Sequence, residues 1–199
     1  MGKRICVYCA SSNRIAPQYV EAAAQFARLV VLQGHRLVCG GTSKGLMNAL
    51  IEAAIEAGGV VEGVVPEFMY AYGWDDKRLT HLIVTETMRE RKHLMMKEAD
   101  AIVALPGAIG TLEELSEAIS LKRLGRFCNP IIIFNQNGFY DLLLRFFEEM
   151  IREQMMGIGQ RCAWQVVTRV EDILPAIDVE PPWIADLVHY HDNENNGNQ

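Results

Sequence analysis

The chain of 199 residues predicts an α/β fold: a Rossmann-like, doubly wound, mainly parallel seven-stranded sheet with helices on both faces. Two observations carry that expectation. Short apolar or β-branched runs alternate with helical patterns from residue 4 to about 178, as expected of strands buried on both faces and joined by crossover helices. The strand ends also run into loops rich in glycine and small polar residues, where open parallel sheets hold ligands.

Taken in order, a strand at 4–10 leads through a helical pattern at 16–33 to a strand at 36–40, and a helix at 44–57 leads to a strand at 59–65. The next strand, 81–86, precedes a helix at 88–98 and a strand at 100–105. A helix at 111–124, a strand at 130–134, a helix at 138–153, a strand at 164–168 and a short helix at 171–177 complete the pattern. No tandem repeat or linker divides it, so residues 1–180 read as a single domain with a sizeable core. Pro181-Pro182 breaks the alternation, and 181–199 reads as a C-terminal extension whose polar end, Asp192 to Gln199, is expected to be disordered.

Half of the residues are hydrophobic and the net charge is -6, which argues against nucleic acid or an anionic membrane as partner. Any phosphate recognised here is small and locally held. The start, Met1 to Cys6, enters a strand at once, and no apolar run is long enough to cross a bilayer, so a soluble cytoplasmic protein is expected. Five scattered cysteines fit a reducing compartment. Cys6 and Cys9 form a CxxC, but their spacing within a strand sends them to opposite faces. His35, His81, His93, His189 and His191 show no metal-ligand spacing beyond an HxH in the tail, so no metal site is expected.

The unusual residues cluster at the strand ends. Leu105-Pro106-Gly107-Ala108-Ile109-Gly110-Thr111-Leu112-Glu113-Glu114 runs from a strand through a glycine turn into a helix with early carboxylates. Free amides at a helix start attract phosphate oxygens, and a carboxylate in the same turn adds a base or cation stabiliser. Thr111 with Glu114 equally reads as a capping box. The loop Gly40-Gly41-Thr42-Ser43-Lys44-Gly45 is neither a dinucleotide fingerprint, which Thr42 breaks, nor a P-loop, since Leu46-Met47 follow Gly45. Phosphate or ribose contact and an ordinary tight turn both remain open for it.

In the helix from Met88, residues Met88, Met95 and Ala99 mark an apolar stripe, and Arg91 and Lys92 fall inside it, while His93 falls away toward solvent. An anionic ligand or a buried carboxylate such as Glu114 explains the inward cations, with snorkelling as the plain alternative. Met47, Met95 and Met96 read as core filling. The aromatic segment Phe68 to Trp74 suits either a cover for a flat base or an interface patch.

These motifs resemble a known family. Pro106 to Glu114 is similar to the PGGxGTxxE signature of the LONELY GUY (LOG) family of cytokinin-activating nucleoside 5′-monophosphate phosphoribohydrolases, and Met88-Arg89-Glu90-Arg91-Lys92 to its MxxRK element. Cys6 to Ser12 with Tyr19 resembles its first strand, and Gly40 to Met47 its GGGxxGLM loop. Ala108 and Thr42 stand where the family has glycine; a left-handed backbone there would cost on the order of 1–2 kcal/mol with a side chain present.

The resemblance implies hydrolysis of the N-glycosidic bond of a purine nucleoside 5′-monophosphate, AMP or an N6-modified AMP, to free base and ribose 5-phosphate. It implies no cofactor and a homodimer. Family members are often labelled lysine decarboxylase-like, yet nothing here marks a Schiff-base lysine and its partners. On this reading Glu114 stabilises charge on the sugar and activates water, while Arg91 positions substrate and holds the carboxylate ionised. Ser11, Gly40, Gly41, Gly45, Met88, Lys92, Gly107, Gly110 and Thr111 are the expected substrate contacts. A non-catalytic nucleotide-binding or sensing protein of the same fold is the competing reading.

Overall fold

A computed structural model describes residues 2–179 together with Trp183. Seven strands, β1 (Arg4–Tyr8), β2 (Arg36–Cys39), β3 (Val61–Pro66), β4 (His81–Thr85), β5 (Ala101–Ala104), β6 (Ile131–Phe134) and β7 (Gln165–Val167), form one sheet in the order β4-β3-β2-β1-β5-β6-β7. Every pairing is parallel, so the sheet is wholly and not merely mainly so. The helices are α1 (Pro17–Leu32), α2 (Gly45–Glu56), α3 (Glu67–Ala71), α4 (Met88–Met96), α5 (Ile109–Arg123), α6 (Asp141–Arg152) and α7 (Ile173–Val179).

Alternating strand residues feed two cores. Ile5, Val7, Leu37, Val103 and Phe134 pack with Phe26, Leu50 and Ile173 on the face covered by α1, α2 and α7. Cys6, Tyr8, Val38, Val64 and Ile102 pack with Met95, Leu115 and Phe147 on the face covered by α4, α5 and α6. This is the doubly wound three-layer arrangement. Cys6 and Cys9 lie on opposite faces as their spacing predicts. No helix among the described residues is long and apolar enough to cross a membrane.

Several boundaries differ from the sequence expectation for local reasons. Strand β1 stops at Tyr8, and Cys9 and Ala10 peel away to line a cavity. Helix α6 starts at Asp141 because Asn137 and Gly138 hold positive φ and Asn135 Oδ1 accepts the Tyr140 N–H, turning the chain first. The segment after β3 contains a short helix, α3, within the aromatic run. The extension at 181–199, Trp183 apart, lies outside the described residues, as do His189 and His191.

The strand order reverses between β1 and β5. The chain steps outward from β1 to β4, and α4 then carries it back across the sheet to β5. Arg4, only 5 % exposed, fixes that return. Its guanidinium donates to the carbonyls of Leu94 (3.1 Å), Met95 (2.9 Å) and Lys97 (2.6 Å) at the end of α4, and pairs with Glu62 of β3. One buried cation thus satisfies orphan carbonyls at a helix C-terminus and ties that helix to the sheet. Arg4→Ala strands these acceptors and the Glu62 carboxylate. We expect a loss of about 3 kcal/mol in urea unfolding, and an unchanged midpoint would show that α4 is anchored elsewhere.

Candidate active site

A cavity of about 380 Å³ opens over the β1/β5 reversal, at the carboxyl ends of the strands. Its centre is an ion pair. Arg91 Nη1 lies 3.1 Å from Glu114 Oε1, and the two residues are 7 % and 8 % exposed. Arg91 Nε donates to the Val64 carbonyl of β3 at 2.9 Å, so the guanidinium is held from two directions.

Local signals explain why Arg91 faces inward. Thr87 caps α4 by accepting the Glu90 N–H at 3.1 Å, while Glu90 Oε2 accepts the Glu86 N–H at 2.9 Å. Thr87 to Glu90 is therefore the working T-x-x-E cap. Thr111 and Glu114 form no such box: α5 starts at Ile109 with Ala108 as an N-cap that makes no side-chain bond. Glu114, a turn further on, is free to meet Arg91.

Lys92 departs from the inward expectation. Its ammonium pairs with Glu113 and with Glu117 (2.9 Å), outside the cavity wall. Adjacent carboxylates thus part company, Glu113 with Lys92 and Glu114 with Arg91. His93 is exposed, as expected.

Burial, the largest influence, raises the Glu114 pKa above the ordinary 4.5, and the Arg91 charge and hydrogen bond only partly oppose it. Arg91 thus favours the ionised carboxylate, as expected of it, against the larger opposing effect of desolvation.

The glycines divide by role. A Cβ on Gly40 would stand 2.2 Å from Arg91 Nη2, and one on Gly107 would stand 2.1 Å from Thr111 Oγ1. These two make room for site side chains and do not themselves line the cavity. Gly41 and Gly45 supply positive φ, and the Gly45 N–H is taken by Asn13 Oδ1 at 2.9 Å. Leu46 N–H is taken by the Ala10 carbonyl at 2.9 Å, so the start of α2 has little left for an anion. The 40–45 loop is a tight turn that builds the site's frame, with Thr42 and Lys44 reaching the cavity. Helix α5 differs: the amides of Ile109, Gly110 and Thr111 have no acceptor among the described residues, and Gly110, Thr111 and Ala108 line the cavity beside Ser11. Neither Ala108, at φ -94, nor Thr42 needs a left-handed backbone, so neither departure from glycine carries strain.

The cavity also has a large apolar lining, made by Met47, Met69, Trp74 and Met88. Met88 lines the cavity as expected; Met69 and Trp74 belong to the aromatic run that suits a base cover, Cys9, Ala10 and Lys44 to the strand-end segments where ligands are expected, and Met47, in the core as expected, also reaches the cavity. The bridge between Thr42 and Asp75 brings Trp74 there, a long-range pairing that no local pattern reveals.

The arrangement offers an anion-ready helix start, a buried acid with a paired guanidinium, and an apolar wall. Residues 47–177 match a family model described as "Possible lysine decarboxylase". The chain is 38% identical over 159 residues to the cytokinin riboside 5′-monophosphate phosphoribohydrolase LOG2 of Arabidopsis thaliana, covering 80% of this chain and 75% of that one. It is 34% identical over 194 residues to the enzyme LOG of the same description from Oryza sativa subsp. japonica, covering 94% and 80%. Among solved structures, the molybdenum cofactor binding protein of Rippkaea orientalis superposes with a TM-score of 0.71 at 20% identity, covering 89% of this chain and 96% of that one. The molybdenum cofactor carrier protein of Chlamydomonas reinhardtii gives 0.68 at 21%, covering 89% and 97%. At such identities these two share the fold.

The raised Glu114 pKa has a thermodynamic consequence. Stability contributed by this carboxyl is fully present below its unfolded value near 4.5 and is lost as pH rises through the higher folded value. Denaturant titrations of the wild type and Glu114→Gln should therefore show wild-type stability falling, relative to the variant, as pH rises through that window. A relative stability that rises instead would mean that Arg91 dominates.

Proposed function

This chain belongs to the LONELY GUY (LOG) family, and on that basis we propose that it is a nucleoside 5′-monophosphate phosphoribohydrolase, an N-glycosyl hydrolase releasing a purine base and ribose 5-phosphate. The observation that carries this reading is the buried Arg91–Glu114 pair beside the open amides of α5 in one cavity.

Breaking a ribosyl bond to a base develops positive charge on the sugar, as in glycoside hydrolysis. In our reading Glu114 stands beside C1′, stabilises that charge and takes a proton from the attacking water. The water oxygen bonds to C1′ as the C1′–N bond breaks, and the proton leaves with the base. Desolvation strengthens Glu114 as a base, while Arg91 keeps its ionised form accessible and orients it. The amides of Ile109, Gly110 and Thr111, with the hydroxyls of Thr111 and Ser11, hold the phosphate, so binding energy remote from the bond aligns the reacting centre. Gly40 and Gly107 act through Arg91 and Thr111, Gly41 and Gly45 through the loop's shape, and Lys92 through the charge of Glu113 and Glu117.

A decarboxylase of the kind in the family model's description would use a pyridoxal group bound to a lysine. Lys44 is the lysine lining this cavity, but its single carboxylate there, Glu114, is already paired with Arg91, so no acid remains for a pyridinium nitrogen. The residues do not fit that group. The backbone at Ala108 and Thr42 is unstrained, and retention of both Arg91 and Glu114 supports an enzyme over a non-catalytic nucleotide-binding protein. We take the protein to act in the cytoplasm as a homodimer on small nucleoside monophosphates such as AMP, without nucleic acid or membrane, and residues 1–180 to form its one hydrolase domain.

Glu114→Gln or Arg91→Ala should lower base release from AMP or N6-isopentenyl-AMP by about a thousandfold, with the fold retained by circular dichroism. Glu113→Gln should keep most activity. Full activity in either of the first two variants, or loss confined to Glu113→Gln, overturns the assignment, and nucleosides lacking the phosphate should react poorly.

A further inference from the structure

The apolar wall contains a residue that no family motif accounts for. Trp74 lines the cavity with Met47, Met69 and Met88, the large apolar side chains of its lining. It is held there firmly. Its N–H donates to the Met69 carbonyl at 3.1 Å, closing the turn after α3, and its own carbonyl accepts the Ser43 N–H at 3.4 Å. The residues that follow are fastened to the same loop: Thr42 bridges to Asp75, and Asp76 N–H donates to the Gly41 carbonyl at 2.8 Å. Asp76, 3 % exposed, grips Arg78, which reaches across to Asn48 of α2 at 2.6 Å.

The ring itself is oriented by side chains. The Lys44 ammonium sits 4.6 Å from its centroid, and Tyr72 stacks against it at 5.4 Å with a 28° interplanar angle. A cation over an indole is the strongest of the common cation–π pairs, and the Lys44 backbone is placed as the N-cap residue of α2.

We propose that Trp74, latched by Lys44, is a specificity-determining residue that reads the apolar periphery of the base. This rests on the hydrolase reading for the name of the ligand but not for the binding step. The chemistry of the wall decides which bases it favours. Indole offers a bare exocyclic amine no acceptor and the three thioethers only weak ones, so an unsubstituted adenine exchanges strong hydrogen bonds to water for weak ones there. An N6-alkyl group instead buries apolar surface against side chains that adapt to its shape. Trp74 therefore selects N6-alkylated adenine nucleotides over AMP, while the phosphate and ribose end is indifferent to it.

The test is calorimetric titration of wild type, Trp74→Ala and Trp74→Phe with N6-isopentenyl-AMP, AMP and ribose 5-phosphate, using Glu114→Gln as background if turnover interferes. We expect wild type to prefer N6-isopentenyl-AMP. Trp74→Ala should raise its Kd about tenfold, Trp74→Phe should stay within about threefold of wild type, and ribose 5-phosphate should bind all three alike. An unchanged Kd in Trp74→Ala, equal weakening of ribose 5-phosphate, or a wild-type preference for AMP overturns the proposal. If nucleotides bind as described but no base is released by the wild type, the hydrolase reading fails and the role of Trp74 stands.

Discussion

Two opposite charges withdrawn from water, on helices that reach the sheet from different strands, set the terms for the rest of this molecule. Burying a carboxylate and a guanidinium costs several kcal/mol per ion, and mutual attraction offsets this only when the geometry is good. Much of the surrounding structure serves that geometry. The Val64 carbonyl fixes one edge of Arg91, Gly40 leaves room for another, and the Thr87 cap sets the helix phase that points it inward. Arg4, at the far end of α4, holds the same helix against β3. A change at any of these places reaches Glu114 without touching it.

The same burial gives the acid its chemical character. Glu114 is raised by desolvation and restrained by Arg91, an intermediate condition that neither influence produces alone. The stability that this carboxyl contributes falls as pH rises through its raised pKa, and its ionised form is held there by Arg91. Lys92 and Glu113, one residue away from each partner, form an ordinary half-exposed pair. One step along each helix separates a reactive pair from a surface one.

Sequence patterns disclosed the architecture and the middle of the site. Buried parallel strands read as continuous apolar runs, and all seven appear near their expected places, the five inner ones because both of their faces are covered, while β4 and β7 at the edges are partly exposed. Arg91 and Glu114 were legible because a cation within an apolar stripe needs an explanation. The glycine motifs do not by themselves tell contact from framework: Gly40 and Gly107 leave room for Arg91 and Thr111, and Gly45 serves a tight turn. The two T-x-x-E stretches look alike as text, and only the helix start at Ile109 tells the cap at Thr87 from the acid at Glu114. For Trp74 the aromatic run leaves a base cover and an interface patch both open, and the pairing of Asp75 with Thr42, far off in the chain, brings it to the cavity.

The unequal helix starts around the cavity have a geometric corollary. At α2 the leading amides are occupied by Asn13 and Ala10, whereas at α5 they stand open. The crevice therefore has a vector. An elongated guest with an anionic terminus finds open amides at the start of α5, whereas those that lead α2 are already taken. Handedness of entry is thus encoded in which amides the chain has already satisfied, before any contact with the guest's middle is made.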